Sequence, residues 1–463
     1  MREGPHAAVW VRARTARRTG RRGASSFEGM ENETTIPVAV RGDVDQRAVD
    51  QLRRCANAGS ATRAALQADG HVGYSQPIGG AVAYEAHVSP SGVGYDIGCG
   101  NKAVRTDVRY EDVATQIPGL MDEVVSRISF GVGRKNDEPV DHPVLDRIGA
   151  ADFHPQRALK DMAAAQLGTV GSGNHYVNLF AGDDGFVWVG VHFGSRGFGH
   201  RTASGFLALA QGEKFNAKGV DGEMDSPPVL LSTDSDLGQA YISAMQLAGD
   251  YAYAGRDVVV DRVLGILGAR ATYEVHNHHN YAWREEHDGR QVWVIRKGCT
   301  PAFPGQEGFV GATMGEESVI LRGTSDPAGP ELLYSTVHGA GRVMSRTEAA
   351  GRRRKRTVCG KCGWTQPPRT ARVTTCPSCG SQRDLSKRWV LDRPGKIDWP
   401  AVTKALAARG IVLRGGGADE APDAYKRLDE VLSAQGSTIE ILHRLRPVGV
   451  AMAGMGEFDP YKD

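Results

Sequence analysis

Short apolar runs separated by glycine-rich turns dominate residues 36–345. VWVGVHF (187–193) and QVWVIRKG (291–298) are rich in β-branched and aromatic residues and bounded by turn signals, the pattern of strands. Helix-like stretches intervene, the longest from Asp234 to Leu267, and a later one runs from Ala421 to Gln435. The two kinds of pattern mix without regular β-α-β alternation, which predicts an α+β fold. The sequence contains no internal repeat and no G-x-x-x-x-G-K-[ST] phosphate loop.

Two segments fall outside this pattern. Residues 1–29 are rich in Arg, Gly and Ser and have no sustained apolar period, so disorder is expected there. Met30 opens MENETTIPVAV and reads as a plausible natural start, which would make the first 29 residues an extension. The run GRRRKR at 351–356 reads as a solvated linker. Charge sharpens the picture: the 463-residue chain has a net charge of +2, but seven arginines against two glutamates put +5 on residues 1–29 and leave the rest at −3. Bulk attraction to nucleic acid is therefore excluded for the body of the chain, and any RNA must be held by a local basic groove. No apolar run approaches the ~18–20 residues of a membrane span, and no signal-peptide core is visible, so the chain is expected in the cytoplasm with no membrane partner.

Seven cysteines without a secretion signal point to metal sites and thiols rather than a disulfide framework. Cys359 and Cys362 form one C-x-x-C pair, and Cys376 and Cys379 form a second one after 13 intervening residues. Two such knuckles can meet at one tetrahedral Zn²⁺, and four thiolates close its coordination sphere, so the expected zinc is structural. A segment this small has little core and would rely on the metal to fold.

The histidines carry the candidate chemistry. His71 in DGHVG, His175 in GSGNH, His192 in VHFGSRG, His279 in HNHHNY and His338 in HGAGR all sit in polar or glycine-rich surroundings. A lone histidine there is more often structural, but five flanked by small residues point to a site. GVGYDIGCGNKAVRT (92–106) adds Asp96 and Cys99 three apart, a carboxylate and a thiol between glycines that can bind one metal ion or bridge two. Read alone, Cys99 could equally be a small buried residue and Asp96 a turn former.

GVGYDIGCG, GSGNH, HFGSRGFGH, HHNY, RKG, HGAGRVMSR and EAPDAYK occur in this order between about residues 36 and 450. In them the chain closely resembles the RtcB family of RNA-splicing ligases. The resemblance implies an α+β catalytic domain and two Mn²⁺ ions held by Asp96, Cys99, His175, His192 and His279. His279–Asn280, ahead of Tyr281, matches the family pattern better than His276–Asn277. The ligand types alone would equally suit Zn²⁺, so manganese rests on the resemblance. It also implies that His338 forms a phosphoramidate with GMP from GTP. The implied nucleotide contacts are Asn174, Asn178, Asn280 and Ser318, the turn Gly311, Ala312, Thr313 and Met314, the loop Gly339, Ala340 and Gly341, and Tyr425. Arg196, Arg296, Lys297 and Arg342 are cations inside these motifs and are assigned to the RNA ends.

Three positions depart from the family pattern. Asn178 stands where a glutamate is common, Met452 lies near an expected C-terminal lysine, and GATM replaces a PGSM-like run. The implied reaction joins an RNA 3′-phosphate or 2′,3′-cyclic phosphate to a 5′-hydroxyl through guanylylated His338, in RNA repair or tRNA splicing. Two other readings stay open: a metal-dependent RNA end-processing phosphoesterase that has lost ligation, and a non-catalytic zinc-ribbon RNA-binding protein. The expected organisation is a catalytic domain over 30–350, a zinc ribbon inserted at 357–385, and a completing part at 390–463.

Overall fold

The computed structural model describes residues 36–217, 224–368 and 370–455, so the segment expected to be disordered, 1–29, lies outside the described residues. The fold is α+β, built on two sheets. Five strands form the first, in the order Val38–Val40, Ala61–His71, Ile78–Tyr84, Arg290–Lys297 and Asn280–His287. The second has eight. Its path runs Glu307–Val310, Ser318–Gly323, Ile439–Gly454, Tyr176–Gly182, Phe186–Phe193, Gly100–Arg109 and Ala271–His278, and Val412–Gly416 pairs in parallel with Ile439–Gly454.

Phe186–Phe193 is buried along its whole length after Phe186 because both faces of the sheet are covered. Trp188 packs with Phe180 and Phe309 on one face. Val189, Val191 and Phe193 pack on the other, against Val259, Val260 and Val263 of a long helix. Truncating Trp188 to alanine would cost about 3–5 kcal/mol. The helix, Asp236–Leu267, starts at Ser235, whose Oγ accepts from the N–H of Gly238 at 3.0 Å, and ends at Gly268 in the left-handed region at φ 62°. It matches the stretch expected from Asp234 to Leu267.

The two sheets come together at one residue. Ala271–His278 is the edge of the larger sheet and Asn280–His287 the edge of the smaller, with only His279 between them. The His279 N–H donates to the Cys99 carbonyl at 2.8 Å, which ties this corner to the turn before Gly100–Arg109. Five-stranded and eight-stranded sheets therefore both deliver strand ends to the neighbourhood of Cys99.

Two expected elements differ. The run Arg352–Arg356 is not a linker but part of a strand, Gly351–Cys359, paired antiparallel with Leu385–Pro394 from Gly351↔Pro394 out to Cys359↔Leu385. Its apolar period is missing because the ribbon has almost no core to face, and most of its residues are exposed. The helix expected over Ala421–Gln435 is shorter, Leu428–Gln435, preceded by a 3₁₀ turn at Pro422–Ala424 and by Tyr425 in extended conformation. Proline fixes its own φ and removes a donor, and Tyr425 is bridged instead to Arg342. No helix among the described residues is long and apolar enough to cross a membrane.

Candidate active site

Cys99 and Asp96 share the turn that opens the strand Gly100–Arg109, His175 directly precedes Tyr176–Gly182, and His192 lies near the end of Phe186–Phe193. Tyr176 pairs with His192 and Asn101 pairs with His192 in the ladder, so adjacent strands bring these groups together by register. Cys99 Sγ lies 3.3 Å from His192 Nε2 and 3.6 Å from His175 Nε2. Asp96 Oδ2 lies 3.1 Å from the same His175 nitrogen. Cys99, His175 and His192 offer ligand atoms within 4.8 Å of one another. At Gly194 a Cβ would stand 2.4 Å from Asp96 Oδ1, so only glycine leaves the carboxylate its place.

The cluster has the chemistry of a cation site. The His175 Nδ1 lies 3.0 Å from the Val170 carbonyl. A ring that donates there directs Nε2 at Asp96 and Cys99, where either a proton shared with Asp96 or a bound cation can sit. Burial opposes charge on Asp96, but hydrogen bonding and the charges of His175 and Arg196 hold its carboxyl well below the usual range. Burial and the neighbouring Asp96 push the Cys99 thiol up, and a bound cation reverses that preference by favouring thiolate. Burial and neighbouring imidazoles push His192 and His279 down, leaving both neutral, the form that binds metal. His279 Nδ1 is buried and has no hydrogen-bond partner among the described residues. An orphaned imidazole nitrogen beside a thiol–imidazole cluster fits a missing ligand bond.

Ring centroids step from His175 to His192 (5.4 Å), to His279 (5.1 Å) and to His338 (4.8 Å). His338 is held by a residue the sequence reading missed. Asp69, fully buried in the strand Ala61–His71, accepts from His338 Nδ1 at 2.6 Å. The same oxygen takes the backbone N–H groups of His338 at 3.0 Å and Gly339 at 3.3 Å. With Nδ1–H spent on Asp69, the His338 lone pair is at Nε2. Gly341 adopts φ +76°, and a Cβ there would stand 2.2 Å from the Asp69 carbonyl, so the HGAGR loop can lie on this strand only with glycine. The signal was present in DGHVG, where His71 drew attention and the carboxylate two residues before it did not. His71 faces the same cavity, and burial lowers it to about 4.

A cavity of about 330 Å³ joins these groups. Asp96, Cys99, His175, His192, His279 and His338 line it together with Asn174, Asn178, Asn280, the turn Gly311–Met314, the loop Gly339–Gly341 and Tyr425. Ser318 does not line it. Its Oγ accepts from the Ala312 N–H at 3.0 Å and props the turn from behind. Asn178 and Met452 both line the cavity from neighbouring strands, with Val450 paired to Asn178 and Met452 to Tyr176. The Asn178 Oδ1 has no hydrogen-bond partner among the described residues.

The four cations separate into two classes. Arg342 lines the cavity and bonds Tyr425 Oη at 2.8 Å and the Asp419 carbonyl at 2.8 Å. Lys297 also lines it, bonding the Tyr74 carbonyl at 2.6 Å, and burial lowers it to about 8. Arg296 corrects the expectation of an RNA contact. It is fully buried, paired with Glu285 at 2.6 Å and bonded to Ser335 and the Leu333 carbonyl, because alternation along its strand turns it away from Lys297. Arg196 likewise lies behind the site: its guanidinium is 3.2 Å from His175 Nδ1 and rests on Gly171. Arg346 and Glu420 join the lining without having been expected as site residues.

The second cysteine cluster stands at the far end of the ribbon. Cys359 and Cys379 have sulfurs 3.5 Å apart, Cys362 and Cys376 3.6 Å, and all four lie within 4.8 Å. Tetrahedral Zn–S bonds of about 2.3 Å require sulfur separations of roughly 3.8 Å, which this cluster nearly meets.

Candidate metal donors and a carboxylate-anchored imidazole thus line one cavity. The chain belongs to the RtcB family: the family model described as tRNA-splicing ligase RtcB matches residues 51–154 and 147–364. Among curated relatives, the tRNA-splicing ligase RtcB of Pyrobaculum aerophilum is 31% identical, over 82% of this chain and 86% of that protein. The tRNA-splicing ligase RtcB of Archaeoglobus fulgidus is 29% identical over 88% and 91%, and the RNA-splicing ligase RtcB of Escherichia coli 28% over 83% and 88%.

Proposed function

We propose that the chain is a GTP- and Mn²⁺-dependent RNA ligase that joins a 3′-phosphate or 2′,3′-cyclic phosphate end to a 5′-hydroxyl end through guanylylated His338. The observation that carries this reading is the bond from His338 Nδ1 to buried Asp69, which leaves Nε2 as the nucleophilic nitrogen in a cavity shared with the metal donors. Asp96, Cys99, His175, His192 and His279 would hold the metal. Divalent ions there supply charge neutralisation for the phosphates.

The residues divide the work as follows. His338 Nε2 attacks the α-phosphate of GTP and pyrophosphate leaves. Asp69 keeps the Nδ1 proton and stabilises the positive charge that the ring acquires. The GMP group then passes to the RNA 3′-phosphate, a cyclic phosphate being opened first by water. The 5′-hydroxyl attacks that activated phosphate and GMP departs. Arg342 supplies positive potential to phosphate oxygens, while the N–H groups of His338 and Gly339 stay committed to Asp69. Tyr425 and the Gly311–Met314 turn wall the nucleotide.

Incubation with Mn²⁺ and labelled GTP or ATP tests this reading. The expected result is an acid-labile adduct on the wild-type chain and none on His338→Ala that still binds metal. Absence of any adduct, with hydrolysis of a 2′,3′-cyclic phosphate retained, would favour the end-processing phosphoesterase motivated by Asn178 and Met452.

A further inference from the structure

The ribbon Gly351–Cys359/Leu385–Pro394 has two unlike faces. Directly paired residues share a face, so Arg353↔Leu391, Lys355↔Trp389 and Thr357↔Lys387 project one way, and Arg354↔Val390 and Arg356↔Arg388 the other. Asp392 falls on the second side, where it pairs with Arg354 at 3.2 Å and with Arg356. Its carboxyl is held low by Arg356. That face is partly neutralised. The first face carries Arg353, Lys355 and Lys387 with no carboxylate among its paired residues, around Trp389 and Leu391, which are 46% and 56% exposed. The Lys355 Nζ lies 5.4 Å from the Trp389 ring centroid.

We propose that this face is a platform for single-stranded RNA, on which a base stacks against Trp389 and the flanking phosphates meet Arg353, Lys355 and Lys387. Three features argue for this occupant. An exposed indole among cations is the combination that holds a single strand without reading its sequence. The rest of the chain beyond residues 1–29 is net negative, so a cationic face is local rather than general. The ribbon also springs from the cavity: Arg346 lines it, and the helix Arg346–Ala350 leads directly into Gly351. A strand lying along the platform is thus led toward the cavity holding His338. The inference rests on the RNA-ligase reading for the identity of the strand, but not on the chemistry at His338.

Anisotropy of a fluorescent single-stranded 20-mer with the full-length, zinc-loaded protein tests it, alongside labelling of His338 by GTP and zinc content. Trp389→Ala should weaken RNA binding about tenfold, and Trp389→Phe should restore most of it, because a ring still stacks. Arg353→Ala with Lys355→Ala should lower the salt slope by about 1.4. Arg354→Ala on the opposite face should change affinity less than twofold, and labelling and zinc content should not change in any variant. Unaltered RNA affinity of Trp389→Ala, or equal losses from both faces, would overturn the platform. So would failure of Trp389→Phe to restore binding while zinc is retained. If His338 is not labelled at all, the ligase reading fails while the RNA measurements still judge the platform.

Discussion

The molecule carries two cysteine sites built on opposite principles. Cys99 lies in the interior, in a turn fixed by two sheets, with imidazole and carboxylate partners delivered from three separate stretches of chain. Cys359, Cys362, Cys376 and Cys379 gather at the tip of a ribbon with little core, from two tight turns close in sequence. In the first, the fold makes the site; in the second, the site makes the fold. A mixed, open donor set on a rigid frame suits chemistry, and a closed set of thiolates on a weak frame suits structure.

Removing one sulfur from each site should break the comparison most sharply. Outer-shell partners of a metal ligand typically cost 10–100-fold when lost, so Cys99→Ser should lower GTP labelling of His338 by more than about 100-fold while the thermal transition hardly moves. Cys362→Ser should do the reverse: labelling stays within a fewfold, and limited proteolysis cuts the ribbon. Cys55→Ser is the control, because Cys55 is buried in the core and belongs to neither group of metal donors. A Cys99→Ser protein with normal metal content and rate would return Cys99 to the packing residues.

Asp69→Asn comes next. The change keeps the shape and an amide oxygen that can still accept from Nδ1, but it removes the negative charge, so His338 loses its charge partner. Loss of an equivalent carboxylate in other histidine-based sites costs up to ~10⁴-fold, and ~10²–10⁴-fold is expected here. Single-turnover labelling measures it. A rate within threefold of wild type would mean that Asp69 only packs the loop.

The interior site should also show itself in acid. His71, His192 and His279 are neutral in the fold, with His71 lowered to about 4 and the other two well below the usual 6.5. Below pH 6.5 the unfolded chain takes up protons that the folded chain refuses, so stability is full above that pH and falls as pH drops. Metal-free protein should lose several degrees of Tm between pH 7 and 5, and more slowly with Mn²⁺ bound. Cys362→Ser should follow the same curve. A flat profile would contradict the burial of these rings.

Legibility in the sequence follows the same division. The cysteine quartet is local, and its spacing alone exposes it. The long helix and the strand through His192 are legible because their apolar patterns are complete. Asp69 was hidden because its partner is 269 residues away, and no local pattern links DGHVG to HGAGR. Arg296 was misread for a related reason: the motif RKG contains two cations, but strand alternation sends one inward and one to the cavity. The ribbon strand was hidden because exposed strands show no hydrophobic period.

The smallest expected effect concerns the end of the cavity lined by Asn178 and Met452. Asn178 offers a donor and an acceptor, the acceptor without a partner among the described residues, and Met452 beside it offers neither. Guanine presents two adjacent donors, N1–H and the 2-amino group, which a carboxylate satisfies and an amide satisfies only in part. Adenine presents a donor beside an acceptor, which an amide matches. Discrimination between GTP and ATP at His338 should therefore be modest, within about tenfold. Asn178→Glu should raise the preference for GTP by about tenfold, one good polar pairing being worth ~1–3 kcal/mol. The ratio of labelling rates with the two nucleotides, at limiting concentration, reads this directly. A wild-type preference for GTP above a hundredfold would show that guanine is recognised elsewhere in the cavity, and that the open amide of Asn178 faces something other than the base.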